Sequence, residues 1–344
     1  MASVSGTGVD TEVADLLATS ARAEREGRVL EVLDTIVEAA RRIADPRLDR
    51  AVVALRHGAF AELDRSPGRA QWPIEAADPF PDEDGIPRVA PAGLDAEVLA
   101  GALVHHGCLR VDGLLSRVQV ERFRELISLA FEARDAVAAG APIEAAAPWF
   151  VPFEVGQDRA SGFGADGFVR AVDAPVALRE LVGAFADAGV VDTVGGYLAE
   201  RPVMIANKWV LRLSPTGKIG TDFHQDGAFL GAGIRTVNCW IALSDCGPGT
   251  GRPAMDVVPR RSPGVLTSPP DAAFPWSLTE AAVAEAMPGA PVVSPTFAAG
   301  DALFFDELLA HRTTVGVDLD ERYAIESWFV APSSYPDRHV PVVL

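Results

Sequence analysis

A histidine and a carboxylate two residues apart, His224 and Asp226, stand in the stretch Thr221-Asp222-Phe223-His224-Gln225-Asp226-Gly227-Ala228-Phe229. Residues i and i+2 of a strand point to one face, so the pair predicts an imidazole and a carboxylate aimed at one divalent metal. Two ligands leave such a metal under-coordinated. The best third candidate is His311, in the apolar run Gly300 to Thr314, which opens on a Gly-Asp turn and reads as a buried strand. Turn-like residues Val315 to Glu321 follow, then a second strand from Arg322 to Val330. A hairpin folded about Gly316 and Val317 sets His311 opposite Arg322, and opposed residues of an antiparallel pair share a face. One interior then holds a metal site of His224, Asp226 and His311 beside a guanidinium shaped to grip a carboxylate with two hydrogen bonds.

Two His and one carboxylate on one side of a metal leave coordination positions open, an arrangement associated with non-haem Fe(II) oxygenases. His224-x-Asp226, the distal His311 and an Arg eleven residues beyond it resemble the phytanoyl-CoA dioxygenase-like branch of the Fe(II)- and 2-oxoglutarate-dependent dioxygenases. Gly300-Asp301, Thr313 two residues past the His, Trp240 on the strand after the His-x-Asp segment, and Gly107 to Leu115 as opening strand and turn extend the resemblance from about residue 95 to about residue 332. It implies a mainly β protein with flanking helices, a double-stranded β-helix (jelly-roll, cupin-like) core that binds Fe(II) through the triad. It also implies that Arg322, aided by the Thr313 hydroxyl, holds the distal carboxylate of 2-oxoglutarate. O2 then drives oxidative decarboxylation to succinate and CO2 with hydroxylation of an unactivated C–H; desaturation, ring closure or epimerisation stay open. Related halogenases replace the carboxylate ligand by a small residue, so Asp226 argues for an oxygenase. Where relatives often carry Pro-Gly-Ser-His, this chain has Val258-Pro259-Arg260-Arg261-Ser262-Pro263-Gly264, whose two Arg either meet an acidic substrate group or are solvated loop charges.

Two rival readings remain: a redox-inert jelly roll using its metal as a Lewis acid in isomerisation or hydrolysis, and a non-catalytic binding protein on the same scaffold. Arg322 has less reason to exist in the first. Intact ligands argue against the second.

The elements that must position these groups begin with helices over residues 10 to 64, with Asp10 and Thr11 as candidate caps, Val29 to Ile43 at helical spacing, a break at Asp45-Pro46, and a third helix through Leu63. His57 reads as a surface or packing residue. Residues 65 to 93 carry six prolines and read as a connector or an arm wrapping the next domain. The expected division is an N-terminal helical extension over 1–64, a connector over 65–93 and the catalytic domain over 94–344. The extension is free to cover the barrel, mediate dimerisation or serve as a lid. In the catalytic domain a helix ends at His106 before a capping Gly107, a strand runs from 107 to 112, and a long helix follows Ser116 with Val118, Val120, Phe123, Leu126, Ile127 and Leu129 inward. Aromatics and glycines from Pro148 to Arg170 are candidates to line a site. Val203 to Leu213 reads as the first barrel strand, with Lys208, Val210 and Arg212 on one face and Asn207, Trp209 and Leu211 on the other. Lys208 is a candidate to hold a second acid beside the metal, its alternative being an exterior charge, and Trp240 is a further cofactor-site candidate. Residues 265 to 290, with Trp276, read as an insertion before the last three strands.

At 344 residues, 49% hydrophobic and 23% charged, the chain is globular, and its formal charge of −18 repels nucleic acid and anionic membranes. A small-molecule substrate is the expected partner, and a homo-oligomer is compatible with the sequence. The three cysteines, with no CxxC pair, suggest neither a disulfide framework nor a zinc knuckle. No signal-like start or long apolar span occurs, which leads to an expectation of a cytoplasmic protein.

Overall fold

The computed structural model describes residues 6–66, 72–153, 167–208, 210–214, 217–219, 221–231 and 233–344. Helices α1 (Gly6–Glu26), α2 (Val29–Ile43) and α3 (Pro46–Gly58) open the chain. Asp10 and Thr11 lie inside α1, so they do not cap it. Asp45 does cap α3, accepting the Arg47 N–H at 2.8 Å with Pro46 in the first turn. The apolar face of these helices, with Leu33, Ile36, Leu48 and Val52, closes over Val203 and Val343 of the sheet. The Arg56 guanidinium donates to the Val343 carbonyl at 2.6 Å. His57 is a packing residue: its Nδ1 meets the Pro341 carbonyl at 3.1 Å.

The proline-rich stretch lies along the rest of the chain as an extended arm. It ends in β1 (Arg88–Val89), and Trp72, Ala76 and Phe80 pack on the main core. Next come α4 (Ala96–His106), β2 (Cys108–Val111) and α5 (Arg117–Ala138). Asp95 caps α4 by accepting from Glu97 and Val98 N–H, and Gly107 ends it at φ +75°. A side chain at Gly107 would meet the Arg260 backbone at 2.7 Å, so only glycine fits that turn. His105 and His106 are held by Ala76 O and Asp78, which ties the arm to α4. Ser116 and Gln119 form a reciprocal capping box on α5. Its inward face carries Val120, Phe123, Leu126 and Ile127, whereas Val118, in the first turn, is 76% exposed and Leu129 only half-buried.

The chain then passes through α6 (Ile143–Ala146), β3 (Phe168–Val169), α7 (Pro175–Asp187), α8 (Val190–Leu198), β4 (Val203–Ile205), β5 (Leu211–Ser214), β6 (Gly217–Ile219), β7 (Phe223–His224), α9 (Gly227–Leu230), β8 (Thr236–Ala242) and β9 (Met255–Arg261). It finishes with β10 (Ser277–Leu278), α10 (Glu280–Ala286), β11 (Ala302–Phe305), β12 (Leu309–Thr313), β13 (Gly316–Leu319), β14 (Arg322–Val330) and β15 (Pro341–Val343). Of the aromatic-rich stretch before β3, residues 154–166 lie outside the described residues.

The large sheet runs β1-β2-β11-β8-β14-β4-β15, with β5 also on β14 and β3 on β5; the small sheet runs β10-β7-β12-β9; β6 and β13 form a separate pair. Helices hold more residues than strands, but both main sheets contribute to one cavity and the helices flank them. Three strand expectations change. The apolar run 300–314 is two strands in different sheets, β11 and β12, broken at Asp306-Glu307-Leu308. His311 and Arg322 are not hairpin partners: His311 pairs with His224, and Arg322 pairs with Ser214. The stretch from Val203 is also two strands, because seven steps from Met204 to Leu211 span only four from Phe329 to Ile325 on β14. The three extra residues loop out, which breaks the expected alternation: Val210 and Leu211 are both buried in the main core.

Candidate active site

The ligand atoms of His224, Asp226 and His311 lie within 4.8 Å of one another. His224 and His311 are cross-strand partners in the small sheet, which fixes both imidazoles on one face with ring centres 4.3 Å apart. Asp226 arrives differently from the expected strand alternation. The strand stops at His224, and Asp226 sits in the helical region at the start of α9, with φ −59° and ψ −30°. The turn swings its carboxylate towards the imidazoles.

The second layer of contacts defines the chemistry of all three. His311 Nδ1 lies 3.0 Å from the Leu309 carbonyl and His224 Nδ1 3.3 Å from the Asp222 carbonyl. A carbonyl only accepts, so each Nδ1 carries the proton and each Nε2 keeps its lone pair for a metal. Burial, reinforced by the neighbouring His311, pushes the His224 pKa down to about 3, so its ring is neutral. Asp226 Oδ2 accepts the Trp328 indole N–H at 2.7 Å and the Asn238 amide at 3.2 Å. Oδ1 is buried without a hydrogen-bond partner among the described residues, 3.8 Å from His311 Nε2. An orphaned carboxylate oxygen beside two imidazole nitrogens is costly unless a cation meets it. The donor set therefore fits a divalent transition metal on one face, with the other face open to the cavity.

That cavity, about 280 Å³, is lined from the large sheet by Arg212, Trp240, Arg322, Glu326 and Trp328 and from the small one by Met255, His311 and Thr313. Arg322 is 1% exposed, and its guanidinium donates to the Pro253 carbonyl at 2.8 Å and the Ser214 hydroxyl at 3.3 Å. Nε has no partner, and no carboxylate stands within ion-pair distance among the described residues. Burial lowers the Arg322 pKa to about 10. The guanidinium lies 5.5 Å from the Trp240 ring centre, so that indole forms one wall of the cavity beside the charge. Thr313, two residues past His311 on β12, lines the same cavity. Lys208 reaches it from the looped-out segment between β4 and β5.

The sequence-predicted residues Lys208, His224, Asp226, Trp240, His311, Thr313 and Arg322 thus meet in one cavity. Arg260 and Arg261 do not: Arg261 pairs with buried Asp306, and Arg260 donates to the Pro288 carbonyl. Asn238, Glu326 and Trp328 escaped notice, though strand alternation from Trp240 and Arg322 points to them. Trp276 carried no such signal. It comes from the insertion, where β10 pairs with β7 opposite His224 and sets the indole edge-on to that ring at 5.6 Å. The three cysteines are buried and free, with burial pushing the Cys108 thiol up to about 12. A larger groove, about 650 Å³, between α1, α3 and residues 151–153 contains none of the triad.

No curated protein sequence matches the chain. Among solved structures, the apo form of EctD from S. alaskensis is 18% identical at a TM-score of 0.49, covering 78% of this chain and 85% of that one. The epimerase SnoN, in complex with Fe3+, alpha ketoglutarate and nogalamycin RO, is 21% identical at 0.45, covering 70% and 84%. AviO1 from Streptomyces viridochromogenes Tue57 is 17% identical at 0.43, covering 71% and 98%. Residues 103–315 match the family model described as phytanoyl-CoA dioxygenase. On that match the chain belongs to the phytanoyl-CoA dioxygenase family and is a non-haem iron enzyme that uses Fe(II), 2-oxoglutarate and O2.

Proposed function

We propose that the two facing sheets are a double-stranded β-helix whose cavity hydroxylates an unactivated C–H of a small-molecule substrate. The observation that carries the reading is a pair of charges in one enclosure that are unmet among the described residues: the Oδ1 of Asp226 and the buried Arg322 guanidinium, which has no carboxylate partner there. The first calls for a cation and the second for a carboxylate. Iron on His224, Asp226 and His311, with 2-oxoglutarate bound beside it, supplies the activation of O2 and the oxidising power. The protein does the rest. Leu309 and Asp222 carbonyls hold the imidazoles as Nδ1–H tautomers, and Trp328 with Asn238 leaves one oxygen of Asp226 for the metal. Arg322 grips the distal carboxylate of the cosubstrate, and the Thr313 hydroxyl donates to it. Trp240 and Met255 exclude water from that end. Residues 94–344 form the catalytic unit on this reading, with α1 to α3 as a cover docked on its C-terminal strand.

Succinate formation from 2-oxoglutarate by protein reconstituted anaerobically with Fe(II) and then exposed to O2 tests the reading. Iron-dependent turnover, lost in Arg322→Ala and stimulated by a fraction from a panel of small acids and natural-product extracts, is the expected outcome. A metallated protein that neither binds nor turns over 2-oxoglutarate would favour a redox-inert metal enzyme.

A further inference from the structure

On that reading, one cation among the described residues of the cavity serves neither the metal nor the cosubstrate. Lys208 holds its ammonium 4.1 Å from the ring centre of Phe229 and 5.8 Å from that of Trp328. No carboxylate stands within ion-pair distance of it among the described residues. The acids nearby are committed: Asp226 to Trp328, Asn238 and the metal position, and Glu326 to Arg212. Burial lowers the Lys208 pKa, and burial with the Lys208 charge lowers that of His339 to about 4, so its neighbour on that side is neutral.

Charge balance leads to the same residue. Among the described residues, the cavity lining holds three cations, Lys208, Arg212 and Arg322, against two carboxylates, Asp226 and Glu326. A divalent metal and a dianionic cosubstrate cancel each other, so an excess of one positive charge persists. Glu326 answers Arg212, and on the reading above the cosubstrate answers Arg322, which leaves Lys208. The cosubstrate does not serve both ends. Arg322 lies against Trp240, Pro253 and Ser214, whereas Lys208 lies against Phe229 and Trp328, whose indole also bonds the metal ligand Asp226. A molecule that chelates the metal and reaches Arg322 extends away from Lys208. Beside Lys208 the wall is aromatic: Phe229 and Trp276 stand edge-on at 6.3 Å, forming a corner next to His224.

We propose that Lys208 docks a single carboxylate of the primary substrate, whose apolar, ring-bearing body lies in the corner of Phe229 and Trp276. This deepens the oxygenase reading and rests on it for the placement of 2-oxoglutarate. The cavity of about 280 Å³ is at the small end of ligand sites, so the acid is small.

The probes are 3-phenylpropanoate, 3-phenylpropanamide and 3-phenylpropylamine, titrated anaerobically into the Fe(II)- and 2-oxoglutarate-loaded protein by calorimetry and tryptophan fluorescence. The acid is expected to bind about tenfold or more tightly than the amide, and the amine not at all, as a charge-assisted hydrogen bond requires. In Lys208→Met the advantage of acid over amide falls below about twofold, and Lys208→Arg recovers part of it. The 2-oxoglutarate affinity, measured separately, stays within about twofold in both variants. Equal binding of acid and amide by the wild type, or no binding by any probe, overturns the proposal. So does a tenfold loss of 2-oxoglutarate affinity in Lys208→Met, which would give the ammonium to the cosubstrate. If Lys208→Met does not fold, the wild-type comparison and Lys208→Arg decide. Absence of 2-oxoglutarate binding in wild type overturns the oxygenase reading and this assignment with it, whereas 2-oxoglutarate binding without acid selectivity overturns this assignment alone.

Discussion

The indole N–H of Trp328 donates to Asp226 Oδ2 at 2.7 Å, from near the end of β14, more than a hundred residues along the chain. With Asn238 on the same oxygen, this leaves Oδ1 alone facing the imidazoles. Outer hydrogen bonds of this kind typically change metal affinity by about 10–100-fold when removed. Trp328→Phe, which keeps the ring and deletes the donor, is expected to weaken Co(II) or Fe(II) binding by about that factor in an anaerobic titration. Unchanged affinity would show that the indole only packs.

Arg322 is a charge buried for a ligand, not for the fold. Its guanidinium answers carbonyls and a hydroxyl, and burial works against it. Arg322→Met removes that cost while filling similar space. The apo protein is expected to melt at the same temperature or higher, and 2-oxoglutarate affinity to fall by about two orders of magnitude or more. Loss of stability with cosubstrate affinity retained would refute this division of roles.

Glu307 is buried with Oε2 unpartnered, and burial, then the adjacent Asp306, raises its pKa to about 8. The folded chain therefore holds a proton there that the unfolded chain releases above its ordinary value of 4.5. Its contribution to stability is greatest below pH 4.5 and is lost as pH rises to about 8. Glu307→Gln, neutral in both states, is expected to gain about 1–3 kcal/mol over wild type at pH 8, with the difference closing towards pH 5. Urea melts at the two pH values measure it, and a gain independent of pH would point to packing.

Asp301 ties its own turn to the stretch 110–113: Oδ1 accepts from Gly113 N–H at 2.8 Å, and Oδ2 from Ala298 N–H at 2.8 Å and Arg110 at 2.6 Å. Asp301→Ala leaves Arg110 Nη2 and two backbone N–H groups unanswered, while Asp112 and the Thr296 carbonyl keep the rest of that guanidinium, for an expected loss of about 2–4 kcal/mol in a denaturant melt. A loss under about 1 kcal/mol would mean water replaces the carboxylate.

Local chemistry was legible in the residues themselves. Ser116, Gly107 and the Asp45-Pro46 break mark helix ends because caps and left-handed turns depend on a few adjacent side chains, although Asp10 and Thr11 proved to lie inside α1. The ligand types at His224, Asp226 and His311 and the charge at Arg322 announce their chemistry because donor atoms and charge belong to the residue. Strand partnership was another matter. A hairpin through Gly316 placed Arg322 beside His311, yet the two meet because one sheet faces another, His311 paired with His224 and Arg322 with Ser214. Side-chain alternation encodes which face a residue takes, not which distant strand supplies its hydrogen bonds. Nor does it foresee a strand that ends early, as at His224, or loops out, as before Val210. Tertiary structure alone decided that Trp328 and Asn238 share one oxygen of Asp226, and that Lys208 enters the cavity on the side away from Arg322. Both depend on the register between strands far apart in sequence, which is set only when the two sheets close on a common core.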